Sequence, residues 1–377
     1  MNFDFSDELK QLRDEARRFL GDRCPPAVPR RILEGPEPYD RALWQAIGAM
    51  GWLGAAIPEE FGGAGLGHLA VCVLAEEMGR AVAPVPWSSS VYLATEAILL
   101  FGSPAQKQHY LPKLAAGELI GTFAFAERPG PANPTRLAAS VTDGKLTGEK
   151  LAVPDGDVAD FAVVGVHGGP AGAWLHVVDL AAAGVTREQI ATIDPTRSHA
   201  RIAFAQAPAE ALPGADSADA VRRLFDHAAV PMAFEQVGNA QAALEMATGY
   251  AKERYAFGRP IGSFQAIKHK LADIYIAVEL ARSNAYYGAW ALHADSAELP
   301  IAASVARIAA CEADWLATKE NIQTHGGMGF TWQMDCQFYY RRARLLALAL
   351  GGAREWKQRL IGALRERNTP ATSAEAA

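Results

Sequence analysis

Two arginines and an aromatic ring in the second half of the chain could bind a nucleotide. Residues 250–265 read YAKERYAFGRPIGSFQ, which places Arg254, Phe257 and Arg259 together at the end of a long helical pattern. Guanidinium groups match phosphate oxygens, and an aromatic ring can stack on a base. The stretch therefore fits the pyrophosphate and adenine of a dinucleotide, and Ser263 is expected to cap the helix that follows. An ordinary helical hairpin with solvated arginines explains the same residues.

A second candidate is the glycine-rich stretch after another helical pattern. Residues 323–332 read QTHGGMGFTW, and Gly326 and Gly327 would let the backbone approach a bulky ligand without Cβ clashes. A helix C-cap followed by a turn explains these glycines equally well. His325 is interpreted as a turn residue rather than as a catalytic base.

The remaining glycines, histidines and cysteines predict no further site. Residues 62–67 read GGAGLG, which lacks the G-x-G-x-x-G spacing and follows no strand, so we predict a flexible loop between helices. The histidines and carboxylates show no metal-ligand spacing, and no metal is expected. Four widely separated cysteines without a C-x-x-C pair predict neither a zinc site nor a disulfide framework.

The elements that position these stretches follow from hydrophobic periodicity, which changes twice along the chain. The pattern predicts a mainly α protein with a β domain, divided into an N-terminal helical domain, a central antiparallel β-sheet or barrel, a C-terminal four-helix bundle and a flexible tail. The boundaries are residues 1–118, 119–214, 215–368 and 369–377. Asp143-Gly144 predicts a hairpin in the β domain.

Composition excludes several classes of protein. Half of the 377 residues are apolar and 21% are charged, which excludes global disorder. The net charge of −6 argues against a nucleic-acid binder that relies on phosphate contacts. No run of 18 apolar residues and no signal segment occurs, so we expect no membrane span and a cytoplasmic location.

Taken together, three motifs resemble the acyl-CoA dehydrogenase family of flavoproteins. The first is GWLG at residues 51–54 followed by IPEEFGG at 57–63. The second is RYAFGRPI at residues 254–261 followed by Phe264-Gln265, and the third is QTHGG at 323–327. The resemblance covers nearly the whole chain, with the motifs in the family's order.

This resemblance implies FAD held between the β domain and the bundle, with a neighbouring subunit completing the site in a tetramer. It also implies which residues contact the cofactor: Arg254 and Phe257 at the diphosphate and adenine, Gln265 nearby, and Gln323, Gly326 and Gly327 from the adjacent subunit. The implied reaction is α,β-dehydrogenation of an acyl-CoA thioester in fatty acid or lipid degradation. A carboxylate removes the α proton, the flavin accepts a hydride, and electrons pass to an electron-transfer flavoprotein.

The sequence departs from the family at the base. Many members carry a glutamate nine residues after the arginine of a Tyr-Arg motif, and Leu350 stands there in this chain. Other members carry the base on the helix before the arginine motif, at the position of Ala228. Glu235 shares roughly that helix face, about 10 Å further along the axis, and is the candidate base.

The flavin-facing segments depart as well. Residues 126–129 read AERP where the family has Thr-Glu-Pro-Gly, and residues 152–154 read AVP in place of a Trp-x-Thr or Trp-x-Ser element. Both losses remove hydrogen bonds or stacking to the flavin. In these features the chain resembles subunits of heteromeric bacterial acyl-CoA dehydrogenases, in which one subunit carries the base.

Three functions therefore stay open at this point. The chain could be a homo-oligomeric dehydrogenase with Glu235 as an unusual base. It could be a cofactor-completing subunit in a heterotetramer with a base-bearing paralogue. It could also perform other flavin chemistry on a small substrate without CoA.

Overall fold

The computed structural model describes residues 5–130, 136–168 and 172–369, in which helices, sheet and helices follow one another along the chain. The predicted fold class is confirmed. The N-terminal helices are α1 (Asp7–Arg23), α2 (Ala27–Glu34), α3 (Arg41–Ala49), α4 (Gly67–Arg80), a π-helical segment (Ser88–Thr95), α5 (Glu96–Phe101) and α6 (Pro104–Ala115).

Eight strands form the central domain as two four-stranded sheets. They are β1 (Gly121–Ala124), β2 (Ser140–Thr142), β3 (Lys145–Pro154), β4 (Phe161–His167), β5 (Ala173–Asp179), β6 (Val185–Gln189), β7 (His199–Pro208) and β8 (Glu210–Ala211). The sheet orders are β1-β4-β5-β8 and β2-β3-β7-β6. The pairing is antiparallel as predicted, except that β1 runs parallel to β4. Asp143 and Gly144 form the predicted turn between β2 and β3.

The C-terminal part contains five helices and a short hairpin. They are α7 (Ala218–Glu253), β9 (Tyr255–Ala256), β10 (Arg259–Pro260), α8 (Gln265–His293), α9 (Leu299–His325), α10 (Cys336–Ala349) and α11 (Ala353–Asn368). The core of α7 and α9 is lined by small residues, among them Ala233, Ala240, Ala303 and Ala310, each with no exposed area. Such residues let long helices approach closely along their length.

Helix α4 joins the N-terminal helices to the bundle at a close backbone crossing. A Cβ added at Gly79 would lie 1.8 Å from the carbonyl oxygen of Glu235, and one at Gly238 would lie 1.8 Å from that of Glu76. Only glycine fits where two helix backbones approach so closely. The crossing fixes α4 against the middle of α7.

Local predictions differ in their outcome. Ser6 is the N-cap of α1, because its hydroxyl oxygen accepts a hydrogen bond from the amide of Leu9 at 3.4 Å. The predicted cap at Ser263 is wrong: its hydroxyl donates to the carbonyl of Pro260 at 2.7 Å, and α8 begins after Phe264 without a side-chain cap. The predicted tail lies outside the described residues from 370 onward. No helix of the described chain is long and apolar enough to cross a membrane.

Candidate functional site

The hairpin after α7 turns through a left-handed conformation. Helix α7 ends where the amide of Arg254 donates to the carbonyl of Tyr250 at 2.8 Å. Phe257 and Gly258 connect β9 to β10 with φ angles of 53° and 78°. Two positive φ values are typical of a tight hairpin turn, although a non-glycine residue held there costs about 1–3 kcal/mol. The Phe257 side chain is nevertheless 96% exposed, so burial does not offset this strain.

Cationic and aromatic groups gather on the same hairpin. The guanidinium of Arg259 lies 4.1 Å from the centroid of the Phe264 ring, which the ring of Phe257 meets edge-on at 6.3 Å. Arg254 is exposed, and its guanidinium has no hydrogen-bond or ion-pair partner within the described ranges. An unpaired guanidinium and an exposed ring are the groups that bind phosphate and base.

The glycine-rich loop lies next to this hairpin because the ends of α7 and α9 are in contact. The rings of Tyr250 and His325 stack with their centroids 4.1 Å apart, and His325 Nδ1 is 2.9 Å from the carbonyl of Asn321. Burial lowers the pKa of His325. This histidine therefore supports the loop, as the interpretation of a turn residue predicted. The loop itself is open, because a Cβ at Gly326 or Gly327 would meet nothing within 4 Å.

Two glutamines are the remaining residues that the motifs predict to contact the cofactor. Gln265 is exposed in the first turn of α8, and Gln323 is exposed in the last turn of α9. An ion pair between Lys270 and Glu320 at 2.6 Å ties these two helix ends together. The structure thus brings the residues of both motifs to one end of the helical bundle. We call this set the bundle-end site: Arg254, Phe257, Gln265, Gln323, Gly326 and Gly327.

The segment at residues 126–129 is bonded into the β domain. The Glu127 carboxylate accepts from the amides of Ala138 and Ala139 at 2.6 and 3.0 Å, and from Lys150 Nζ at 2.7 Å. Lys150 has no exposed area and also donates to the carbonyl of Phe125 at 3.2 Å. Burial lowers the pKa of Lys150 to about 8, although Glu127 opposes the shift. Both Glu127 oxygens are therefore occupied by protein donors.

The second flavin-facing segment is a bulge in β3. Ala152 has a φ angle of 49°, and the pairing of β3 with β7 shifts between Lys150 and Val153. Val153 is 1% exposed, and the carbonyl of Pro154 accepts from the Thr122 hydroxyl. These residues present no side-chain donor.

An aromatic cluster joins this part of the β domain to the bundle. The rings of Phe123 and Phe125 stack at 5.6 Å, and Phe225 of α7 meets both edge-on at 5.8 Å. The cluster fixes the start of α7 against the sheet.

Two domain families match the chain in this order. Residues 6–118 match the acyl-CoA dehydrogenase N-terminal domain, and residues 218–365 match the acyl-CoA dehydrogenase C-terminal domain. The chain belongs to the acyl-CoA dehydrogenase family. The resemblance seen in the three motifs is therefore confirmed.

Individual relatives span this dehydrogenase almost from end to end. It is 34% identical over 357 residues to acyl-CoA dehydrogenase IpdE2 of Mycobacterium tuberculosis, covering 94% of this chain and 96% of that protein. Among solved structures, a chain of the ChsE4–ChsE5 complex from the same organism is 29% identical with a TM-score of 0.89, covering 98% and 100%. A variant of the Tcur3481–Tcur3483 steroid acyl-CoA dehydrogenase is 32% identical with a TM-score of 0.87, covering 96% of this chain and 98% of that chain.

Both positions at which the family carries its usual base lie in the apolar core of this chain. Ala228 has no exposed area and Leu350 is 4% exposed, and both belong to the main hydrophobic cluster. Neither side chain can accept a proton.

Glu235, the candidate base, is buried and ion-paired in the structure. Its side chain has no exposed area, and Oε1 accepts from Arg197 Nη2 at 2.8 Å and from Arg342 Nη1 at 3.5 Å. Arg342 also pairs with Asp194 at 2.7 Å. Both guanidinium groups therefore contact the same oxygen of the carboxylate. Glu235 is the bundle's contribution to a buried ion-pair network, in which Asp194 and Arg197 come from the β domain.

Sequence reasoning missed the buried cations of this region. Lys150 carried a readable signal, because its position in β3 shares a face with the buried Leu146 four residues earlier. Arg197 and Arg342 carried none, since the sequence around each gives no sign that a carboxylate faces it.

Proposed function

We propose that this chain is a FAD-binding subunit of an acyl-CoA dehydrogenase. The reaction is α,β-dehydrogenation of an acyl-CoA thioester, with electrons passed to an electron-transfer flavoprotein. We expect it to serve degradation of a fatty acid or other lipid in the cytoplasm. The observation that supports this proposal most is the bundle-end site, where both motifs meet on an exposed surface.

The residues at this site fit the diphosphate and adenine of FAD. Arg254 offers a guanidinium fork without a protein partner in the described chain, and Phe257 offers an exposed ring. The open space at Gly326 and Gly327 admits a cofactor against the backbone. Arg254 would hold the diphosphate, Phe257 would pack on the adenine with Gln265 nearby, and Gln323, Gly326 and Gly327 would supply the contact from the adjacent subunit. When bound, the flavin supplies the hydride acceptor.

The flavin-facing segments fit the other half of the cofactor poorly. Glu127 is saturated by two amides and Lys150, and residues 152–154 offer no side-chain donor. We therefore infer that this chain contributes the adenine end of a site that a neighbouring subunit completes.

The missing base favours a heteromeric assembly over an active homo-oligomer. An α proton of a thioester is weakly acidic, so its removal needs a positioned, desolvated base. Ala228 and Leu350 are apolar and Glu235 is ion-paired, so a base-bearing paralogue is the partner we propose, in a heterotetramer. The similarity to a chain of the ChsE4–ChsE5 complex supports this assembly.

Flavin retention tests the cofactor proposal. The chain, tagged and purified from its own host with its accompanying subunits, should show flavin absorption near about 450 nm. Arg254→Ala removes a charge-assisted contact of about 1.5–3 kcal/mol, which corresponds to roughly 10- to 150-fold weaker FAD retention. Arg354→Ala, at an exposed arginine of α11, is the matched control and should retain flavin.

Turnover tests the assembly. The purified complex should oxidise acyl-CoA, and the chain expressed alone should not. Equal flavin content in Arg254→Ala and the control would refute the contact, and rapid turnover by the chain alone would refute the need for a partner.

A further inference from the structure

Three side chains from separate helices meet between the N-terminal helices and the bundle. His68 lies in the first turn of α4, Glu96 is the first residue of α5, and His227 lies in α7. His68 Nε2 is 3.0 Å from each Glu96 oxygen, and His227 Nδ1 is 2.7 Å from Glu96 Oε1. We call these residues the His–Glu–His cluster. None of them belongs to the bundle-end site.

The donor atoms match those of a transition-metal site. Two imidazole nitrogens and a carboxylate are a known ligand set of Zn²⁺, with metal–ligand distances of about 2.0–2.2 Å. Tetrahedral geometry at those distances separates ligand atoms by about 3.4 Å. One ligand atom from each residue of the cluster lies within 4.8 Å of the other two. The two short contacts need to open by only about half an ångström to admit an ion.

The surroundings of Glu96 distinguish it from other buried carboxylates. Glu76 pairs with Arg282, and Glu77 pairs with Arg17 at 2.7 Å. Glu96 is 5% exposed, and imidazoles are its only hydrogen-bond partners within the part of the chain that the structure describes. Buried carboxylates are usually paired with a cation or bound to a metal.

The histidines also leave room for an ion. His68 Nε2 lies equally far from both carboxylate oxygens, so that it faces the carboxylate symmetrically. His227 is 6% exposed, and its Nε2 has no hydrogen-bond partner among the described residues. The His68 side chain is 30% exposed and gives an ion access from solvent.

The backbone places Glu96 by an unusual device. The π-helical segment Ser88–Thr95 ends immediately before it. Single-turn π segments are rare and frequently occur at functional sites. The separations of 28 and 131 positions along the chain explain why spacing gave no sign of this cluster.

We propose that His68, Glu96 and His227 bind a divalent transition-metal ion, with Zn²⁺ as the expected ion and water in the fourth position. Such an ion would join α4, α5 and α7, and thereby cross-link the N-terminal helices to the bundle. This role is independent of FAD and of the missing base.

Metal titration tests the proposal on the full chain with its accompanying subunits. After dialysis against a chelator, Co²⁺ should bind in one equivalent per chain and give the visible bands of a four-coordinate site. Zn²⁺ should displace it and raise the melting temperature. Glu96→Gln should weaken binding by at least about 100-fold, since it removes the anionic ligand.

A second variant guards against misfolding. His68→Gln removes one ligand at the partly exposed edge and keeps the Glu96–His227 contact, so its circular dichroism should be unchanged while metal affinity falls. His109→Gln, at an exposed histidine of α6, should bind metal as the wild type does. Absence of stoichiometric binding in the wild type, or binding as tight as in the wild type in either His68→Gln or Glu96→Gln, would overturn the proposal.

Discussion

Replacing Glu235 by glutamine separates a structural role from a catalytic one. The carboxylate has no exposed area and faces Arg197, which is 3% exposed, and Arg342, which has no exposed area. Glutamine keeps the shape and an accepting oxygen but removes the negative charge. Arg342 would keep its pair with Asp194, whereas Arg197 would keep the Ser88 hydroxyl but lose the carboxylate that it pairs with.

The expected loss of stability follows from this arrangement. Removing one partner from a buried ion pair typically costs about 3–5 kcal/mol, because the other charge stays buried without compensation. Asp194 stays paired with Arg342, and the new amide oxygen can still accept a hydrogen bond. We therefore expect a cost at the lower end of this range, about 3 kcal/mol. Unfolding entropy of about 2.1 cal/mol/K per residue over 377 residues gives a fall in melting temperature of about 4 °C.

Thermal melting and turnover of the same preparation form the assay. Glu235→Gln should melt about 4 °C lower, while the folded complex keeps its acyl-CoA turnover. Glu253→Gln, at an exposed glutamate of the same helix, is the control and should change neither quantity. If Glu235 were the base, turnover would fall by about 10²–10⁴ with no change in melting temperature. That result would refute the ion-pair reasoning.

Two further predictions concern burial in the sheet and at the helix crossing. Burial lowers the pKa of Lys150 from 10.5 to about 8, so the native state loses this proton before the unfolded chain does. The free energy of unfolding of the wild type, relative to that of Lys150→Met, should therefore rise between pH 8 and 10.5 by up to about 3 kcal/mol. A difference in melting temperature that does not change with pH would contradict this. Gly238→Ala places a Cβ 1.8 Å from the Glu76 carbonyl oxygen and should cost about 3 kcal/mol in chemical denaturation. Gly249→Ala, where a Cβ meets nothing within 4 Å, should stabilise by about 0.5–1 kcal/mol, and similar losses in both variants would contradict the crossing argument.

Periodicity predicted the long helices because their apolar positions face a core over many turns. It failed where local chemistry overrides the pattern. Helix α2 (Ala27–Glu34) forms inside a proline-rich stretch, because Pro26 stands at the N-cap and Pro29 in the first turn, where no amide partner is lost. Periodicity does not indicate strand β6, because Val185–Gln189 is mostly exposed and shows no alternation.

The bundle-end site was located by residue type, but its geometry was not predictable. Arg254 and Gly326 are 72 positions apart, and contacts between α7 and α9 such as the stacking of Tyr250 on His325 bring their segments together. A contact of this kind depends on how two long helices are aligned. Helical geometry likewise gave the face of Glu235 without its partners, which lie 38 and 107 positions away.

The state of the buried carboxyl groups bears directly on the source of the base. Six of them pair with arginines in the described chain: Asp40, Glu76, Glu77, Asp194, Asp226 and Glu235. Glu96 lies between two imidazoles. Burial raises the pKa of Asp155 and Asp314, and both are at most 1% exposed.

A general base needs a free lone pair within reach of the substrate. Six of the buried carboxylates are paired with arginines, and Asp155 and Asp314 are at most 1% exposed. With Ala228 and Leu350 apolar, no carboxylate stands at either usual position of the base. We therefore expect the base of the proposed reaction to come from another subunit, and the exposed bundle-end site is the part of this chain that such a subunit could use.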